Sequence, residues 1–135
     1  MKAKAQCLCG SIKYKVFGSL GEVRYCHCFR CRQANGTAFS ANAKIAKSNF
    51  HIISGKSSLS KYEMSKGVFR YFCSVCGSPI YVIILKEPEW IRIRIGALEG
   101  EVDVKITGHV WVGSKSSWYV IEDSLPCFEE KVDEN

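Results

Sequence analysis

The stretch Arg24-Tyr25-Cys26-His27-Cys28-Phe29-Arg30-Cys31-Arg32 constrains this chain more than any other, because it sets three thiols in a C-x-C-x-x-C spacing. Packing rarely needs such crowding. A thiolate triplet this tight can close on one metal ion with little rearrangement of the backbone. Zinc suits soft thiolate ligands and needs no redox partner. Three ligands are one short of a tetrahedron, so the chemistry turns on what fills the fourth position.

The chain of 135 residues carries eight cysteines. Seven fall into three groups: Cys7 and Cys9; Cys26, Cys28 and Cys31; Cys73 and Cys76. In an oxidising compartment such a set would make disulfides, and in a reducing one it reads as metal ligands or catalytic thiols. Cysteines two or three residues apart are poor disulfide partners but good chelate pairs. The spacing therefore favours metal. The simplest partition joins Cys7, Cys9, Cys73 and Cys76 into one complete four-thiolate zinc site and leaves Cys26, Cys28 and Cys31 as a separate three-thiolate site. Closing the long loop between Cys9 and Cys73 costs roughly 4 kcal/mol of entropy. A structural zinc returns on the order of 10–16 kcal/mol, so the metal can pin these distant segments together. That site should be sealed and inert.

The triplet differs, since an open coordination position separates catalytic zinc from structural zinc. A thiol substrate taking that position would be ionised by the metal. Two side chains compete for it. His27 sits between two ligands, and in an extended stretch it would point the other way. Cys127 reads as a buried apolar thiol. A mixed cluster binding several metals is a further arrangement that spacing does not exclude.

The remaining composition is that of an ordinary globular chain, 47% hydrophobic and 24% charged. The net charge of +6 comes from basic residues scattered along the sequence. A solvated basic surface is expected rather than a nucleic-acid site, and a moderate positive field also suits a small anionic substrate. No apolar run reaches the roughly 20 residues of a membrane helix. Residues 1–6 lack the apolar core of a secretion signal, so a cytoplasmic protein is expected.

The chain reads mostly as strands. Residues 11–17 alternate polar and apolar, as a half-buried strand does. Residues 22–25 lead into the triplet, and Arg30 to Asn35 reads as one helical turn stopped by Gly36. Strands are expected over 39–46, 51–54, 59–64 and 68–73, with the apolar run 80–85 as a central strand. Further strands are expected over 90–95, 102–106 and 109–112. With no long helical period, repeat or linker, a single all-β domain is expected over 1–135, its core at about 6–128 and its acidic tail frayed from Phe128.

The order Cys7-Leu8-Cys9-Gly10-Ser11-Ile12, then Cys26-His27-Cys28-Phe29-Arg30-Cys31-Arg32, then Phe72-Cys73-Ser74-Val75-Cys76-Gly77-Ser78-Pro79 resembles the glutathione-dependent formaldehyde-activating (GFA) family. His109-Val110-Trp111-Val112, Ser117-Trp118 and Asp123-Ser124-Leu125-Pro126 fit as well. The resemblance implies a zinc-stabilised β-tent fold of twisted antiparallel sheets and two zinc ions per chain. Cys7, Cys9, Cys73 and Cys76 would hold the structural zinc. Cys26, Cys28 and Cys31 would hold the catalytic one, which takes the glutathione thiolate. The implied activity is that of a carbon–sulfur lyase forming S-hydroxymethylglutathione from formaldehyde and glutathione, or handling a related aldehyde adduct. The alternatives are a non-enzymatic zinc-stabilised binding module for protein or nucleic acid, and a thiol redox enzyme using Cys127 or a metal-free triplet. Arg32, Arg70, Arg92 and Arg94 are expected as exposed charges, Trp111 and Trp118 as core, and His109 as a half-buried, satisfied histidine.

Overall fold

A computed structural model describes residues 2–132. The chain divides into two compact units, one of Met1–Gly21 and Ala43–Asp103 and the other of Glu22–Asn42 and Val104–Asn135. The fold is mostly β, with antiparallel sheets and a single short α-helix among the described residues. No helix there is long and apolar enough to cross a membrane.

The first unit contains a three-stranded sheet in which β1 (Lys2–Gln6) pairs with β2 (Lys13–Phe17) and β2 with β5 (Phe50–Ser54), each antiparallel. Tyr14 and Val16 are buried on the inner face of β2, as the alternation predicts. Strand β1 is not predicted, because lysine and alanine are weak strand formers. It forms because the β2 edge offers a ladder and because Ala3 and Ala5 can be buried there.

A five-stranded sheet in the same unit runs in the order β4 (Asn42–Ala46), β9 (Trp90–Arg94), β8 (Pro79–Ile84), β7 (Val68–Cys73), β6 (Leu59–Ser65). The apolar β8 is its middle strand, since only a strand covered on both faces can use apolar side chains throughout. Ile91 and Ile93 on β9 are buried as their alternation requires, and Arg92 on the other face bonds Glu87 in the turn before it. Glu87 also receives a hydrogen bond from Lys44 on β4 at 2.9 Å.

In the second unit, β3 (Gly21–Cys26) pairs with β10 (Val104–Val110), and helix α1 spans Phe29–Asn35, ending at Gly36. The two strands expected over 102–106 and 109–112 are one strand, since Thr107 and Gly108 continue the extended backbone between them. Of the tail expected to fray, Phe128 donates to the His109 carbonyl, while the Glu129 and Glu130 carbonyls accept from Gly113 and Trp111. Residues 133–135 lie outside the described residues.

Two expectations follow. Gly55 has φ +85, and a Cβ there would lie 1.7 Å from the Ser11 carbonyl oxygen. Gly55→Ala should cost at least about 2 kcal/mol, read as a lower urea midpoint. Arg92, then Lys44, hold the Glu87 carboxyl down at about 2. Its stabilisation is therefore present above the unfolded value near 4.5 and is lost as pH falls toward 2. The stability difference between wild type and Glu87→Gln should shrink over that window in parallel urea titrations.

Candidate metal centres

The four-cysteine cluster is assembled by two tight loops of the first unit. After β1, the Cys7 carbonyl accepts from Gly10 and the Cys7 amide donates to Ile12, folding Cys9 back beside Cys7. At the end of β7, the Cys73 carbonyl accepts from Gly77 at 2.8 Å, the turn a Cys-x-x-Cys knuckle needs. The Leu8 amide donates to Ser78 Oγ at 3.0 Å, so the two loops are joined by hydrogen bonding as well. The sulfurs of Cys7, Cys9, Cys73 and Cys76 all lie within 4.8 Å of one another. Cys7 to Cys9 is 3.6 Å and Cys9 to Cys73 is 3.8 Å. A zinc–sulfur bond of about 2.3 Å gives a tetrahedral sulfur–sulfur edge of about 3.8 Å, so the donor set fits zinc. All eight cysteines are free thiols.

A neighbouring hydroxyl favours the thiolate at Cys9 and at Cys76, whereas Cys73 is raised. The Ile12 amide points at Cys7 Sγ from 3.3 Å. Ser11 Oγ is 3.1 Å from Cys9 Sγ and Ser78 Oγ is 3.2 Å from Cys76 Sγ. The Ser78 hydroxyl is the main cause that pulls the Cys76 thiol down to about 5, and Ser11 does the same in direction for Cys9.

The three-cysteine cluster lies in the second unit, where a strand hands over to a helix. Cys26 ends β3, with its amide and carbonyl both bonded to Ser40. Cys28 is the N-cap of α1 in extended conformation (φ −64, ψ 152), and its Sγ accepts from the Cys31 amide at 3.3 Å. A cap and the third helical residue share one face of the first turn, which brings Cys31 to Cys28. The three sulfurs lie within 4.8 Å, with Cys26 to Cys31 at 3.5 Å. No fourth His, Cys, Asp or Glu donor joins them among the described residues. Two thiols here resist ionisation: Cys26 is pushed up by the hydrogen bond with Cys31 and by burial, and Cys28 by burial. Three charges at half-buried sulfurs need a cation, which is the condition a metal meets.

Both expected competitors for the fourth position are directed elsewhere. Cys127 is exposed rather than buried, its thiol directed to the Leu125 carbonyl. His27 is fully buried, with Nε2 2.8 Å from His109 Nδ1. His109 is also fully buried rather than half-buried, and its Nε2 meets the Asp123 carboxylate at 2.9 and 3.1 Å. A carboxylate only accepts, so His109 carries its proton on Nε2. With a neutral His109 ring, its Nδ1 accepts and His27 donates from Nε2. The Nδ1 of His27 is left as a buried lone pair without a protein partner. Burial first, then the electrostatic influence of His109 and of the Lys115 and Arg32 cations, lowers the His27 pKa. Tyr25 and Phe39 stack at 4.2 Å beside the pair, and Tyr119 lies 5.9 Å from the His27 ring.

This three-residue chain is what sequence reading missed. Each member stands in a recognisable motif, yet no periodicity links positions so far apart. Several other expectations change. Arg32 is half-buried and donates to the Ser114 carbonyl at 3.0 Å, rather than being an exposed charge. Arg70, Arg92 and Arg94 are half-buried as well. Trp118 is 70% exposed instead of in the core. Trp111 is half-buried at φ 57, the one non-glycine with positive φ among the described residues.

The fold and its cysteine clusters define an all-β protein with two candidate metal centres. A family model described as "Glutathione-dependent formaldehyde-activating enzyme" matches residues 2–114, and the chain belongs to that family. The fold is similar to a crystal structure of a Rhodobacter sphaeroides protein. Identity is 24% and the TM-score 0.57, over 78% of this chain and 100% of that one.

The tautomer chain is open to test. Nitrogen-detected NMR at neutral pH should find both His27 and His109 protonated at Nε2. Asp123→Asn should turn both into tautomer mixtures, whereas a His27 protonated at Nδ1 in the wild type would contradict the assignment.

Proposed function

We propose that this protein is a zinc-dependent carbon–sulfur lyase that binds glutathione as a thiolate at Cys26, Cys28 and Cys31 and forms or handles S-hydroxymethylglutathione or a related aldehyde adduct. Family membership and one observation carry the reading: three sulfurs within 4.8 Å, joined by no fourth protein donor among the described residues. Cys7, Cys9, Cys73 and Cys76 would hold a second, structural zinc. Zinc held by three thiolates supplies a fourth ligand position and lowers the pKa of a thiol that takes it.

The chain's own residues keep the donor set in place. Ser40 fixes the Cys26 backbone from both sides, and the Cys31 amide orients the Cys28 sulfur. The His27 amide donates to the Val110 carbonyl at 3.0 Å, and its ring is tied through His109 to Asp123. The peptide between Cys26 and Cys28 is thus held at both its amide and its side chain, and His27 is kept from becoming a ligand. The overall charge of +6 favours approach of an anionic thiol such as glutathione. The reaction needs no oxidant: the thiol sulfur bonds the aldehyde carbon, and the thiol proton ends on the former carbonyl oxygen. The reading treats residues 1–135 as one functional domain working in the cytoplasm, where glutathione and reduced cysteines coexist.

The test combines metal analysis with exchange NMR of labelled formaldehyde and glutathione. Wild type should bind two zinc ions and accelerate hydroxymethyl exchange. Cys28→Ser should bind one zinc, lose the acceleration and remain folded. Cys73→Ser should instead lose several kcal/mol of stability, on the order of a structural zinc site's contribution. A fully zinc-loaded wild type that leaves exchange at the buffer rate would overturn the enzymatic reading in favour of a binding module.

A further inference from the structure

The solvent face of the three-stranded sheet carries more charge than folding asks of it. Side chains alternate along a strand, so Lys2 and Lys4 on β1 and Lys13 and Lys15 on β2 share the face opposite the buried Ala3, Ala5, Tyr14 and Val16. The register sets Lys4 directly across from Lys15. Like charges so placed weaken a sheet. Lys2 first, and Lys4 with it, lower the Lys15 pKa. These lysines fall within residues 2–15, ahead of the first acidic residue, Glu22, and the β1–β2 pairing sets them side by side.

Rings share this surface. His51 on β5 stands across from Lys15 and meets Phe17 edge-on at 5.2 Å. Two depressions border β5. One, of about 310 Å³, is lined by Lys4, Lys13, Lys15, Ile53 and Glu99 among others. The other, of about 390 Å³, lies on the inner side of β5, where Lys47 and Lys56 stand beside Phe50, which packs on the buried Tyr14 and on Tyr81. On the outer face, Lys4, Lys13 and Lys15 thus stand with the single carboxylate of Glu99 in the first lining, and Phe17 and His51 supply the rings.

We propose that the outer face of the β1–β2–β5 sheet, with the lysines bordering it, binds single-stranded nucleic acid through its phosphate backbone. A basic surface interleaved with rings is what such ligands use, the lysines following phosphates and the rings receiving base faces. A duplex is a poorer fit, because a shallow sheet face offers no ridge to enter a groove. An acidic protein would use the charge and leave the rings without a role.

Fluorescence anisotropy with a labelled mixed-sequence single strand of about 12 nucleotides tests the proposal. With about four phosphate contacts, affinity should fall about 50-fold between roughly 50 and 200 mM salt. Lys4→Glu with Lys15→Glu should weaken binding at least about 10-fold and flatten the salt slope. The charge-matched pair Lys66→Glu with Lys105→Glu, on other exposed strands and turns, should change it little. Should the first pair lose its native circular dichroism, Lys13→Gln with Lys15→Gln replaces it, with the same expected direction. Three results would overturn the proposal: no binding at the lower salt, equal weakening by both charge-reversal pairs, or equal binding of a duplex. Displacement by polyglutamate as effective as by unlabelled oligonucleotide would also overturn it, pointing to an acidic protein partner.

Discussion

Bringing several thiols to one point is a charge problem before it is a geometric one, and this protein meets it differently at its two clusters. In the four-cysteine cluster, the hydroxyls of Ser11 and Ser78 favour the ionised form of Cys9 and Cys76, while at Cys73 the pull of the Cys76 amide is outweighed by burial and the neighbouring thiols, which push the thiol up. At Cys26 and Cys28, the neighbouring Cys31 thiol and burial oppose ionisation. The first environment suits a permanent tie between distant loops. The second would gain from a cation that offsets the charge of its sulfurs.

The local structure follows from that requirement. Cys73 and Cys76 need a knuckle, and the Gly77 amide closing on the Cys73 carbonyl makes one. Cys26 and Cys28 need an extended backbone, which the end of β3 provides, and Cys31 needs the first turn of a helix, which α1 begins. His27 is turned from the sulfurs by the same alternation that aligns its neighbours. Its burial would be costly without partners, and the carboxylate of Asp123, acting through His109, supplies the polarity that makes it tolerable.

The sequence makes some of this legible and hides the rest for identifiable reasons. Strands β7, β8 and β9 can be read closely because their side-chain patterns answer to one or two buried faces. Strand β1 cannot, because its residues favour no strand until β2 pairs with them. Cysteine grouping is legible because chelation is short-range in sequence. The exposure of Trp118 and of Cys127 is not, since bulk and hydrophobicity state a preference that the path of the chain can decline. Likewise, the four lysines of residues 2–15 are an acid-free basic stretch in the sequence, but strand register decides that they share one face.

One atom in the second unit has two duties. The Cys28 sulfur is a candidate metal ligand and also the acceptor that starts α1, taking the Cys31 amide proton. A helix of seven residues has little cooperativity of its own. Occupancy of the cluster and order of the helix are therefore coupled at their common origin. The segment would be a gauge of loading, its amide protection rising or fading with any ion the neighbouring sulfurs took up.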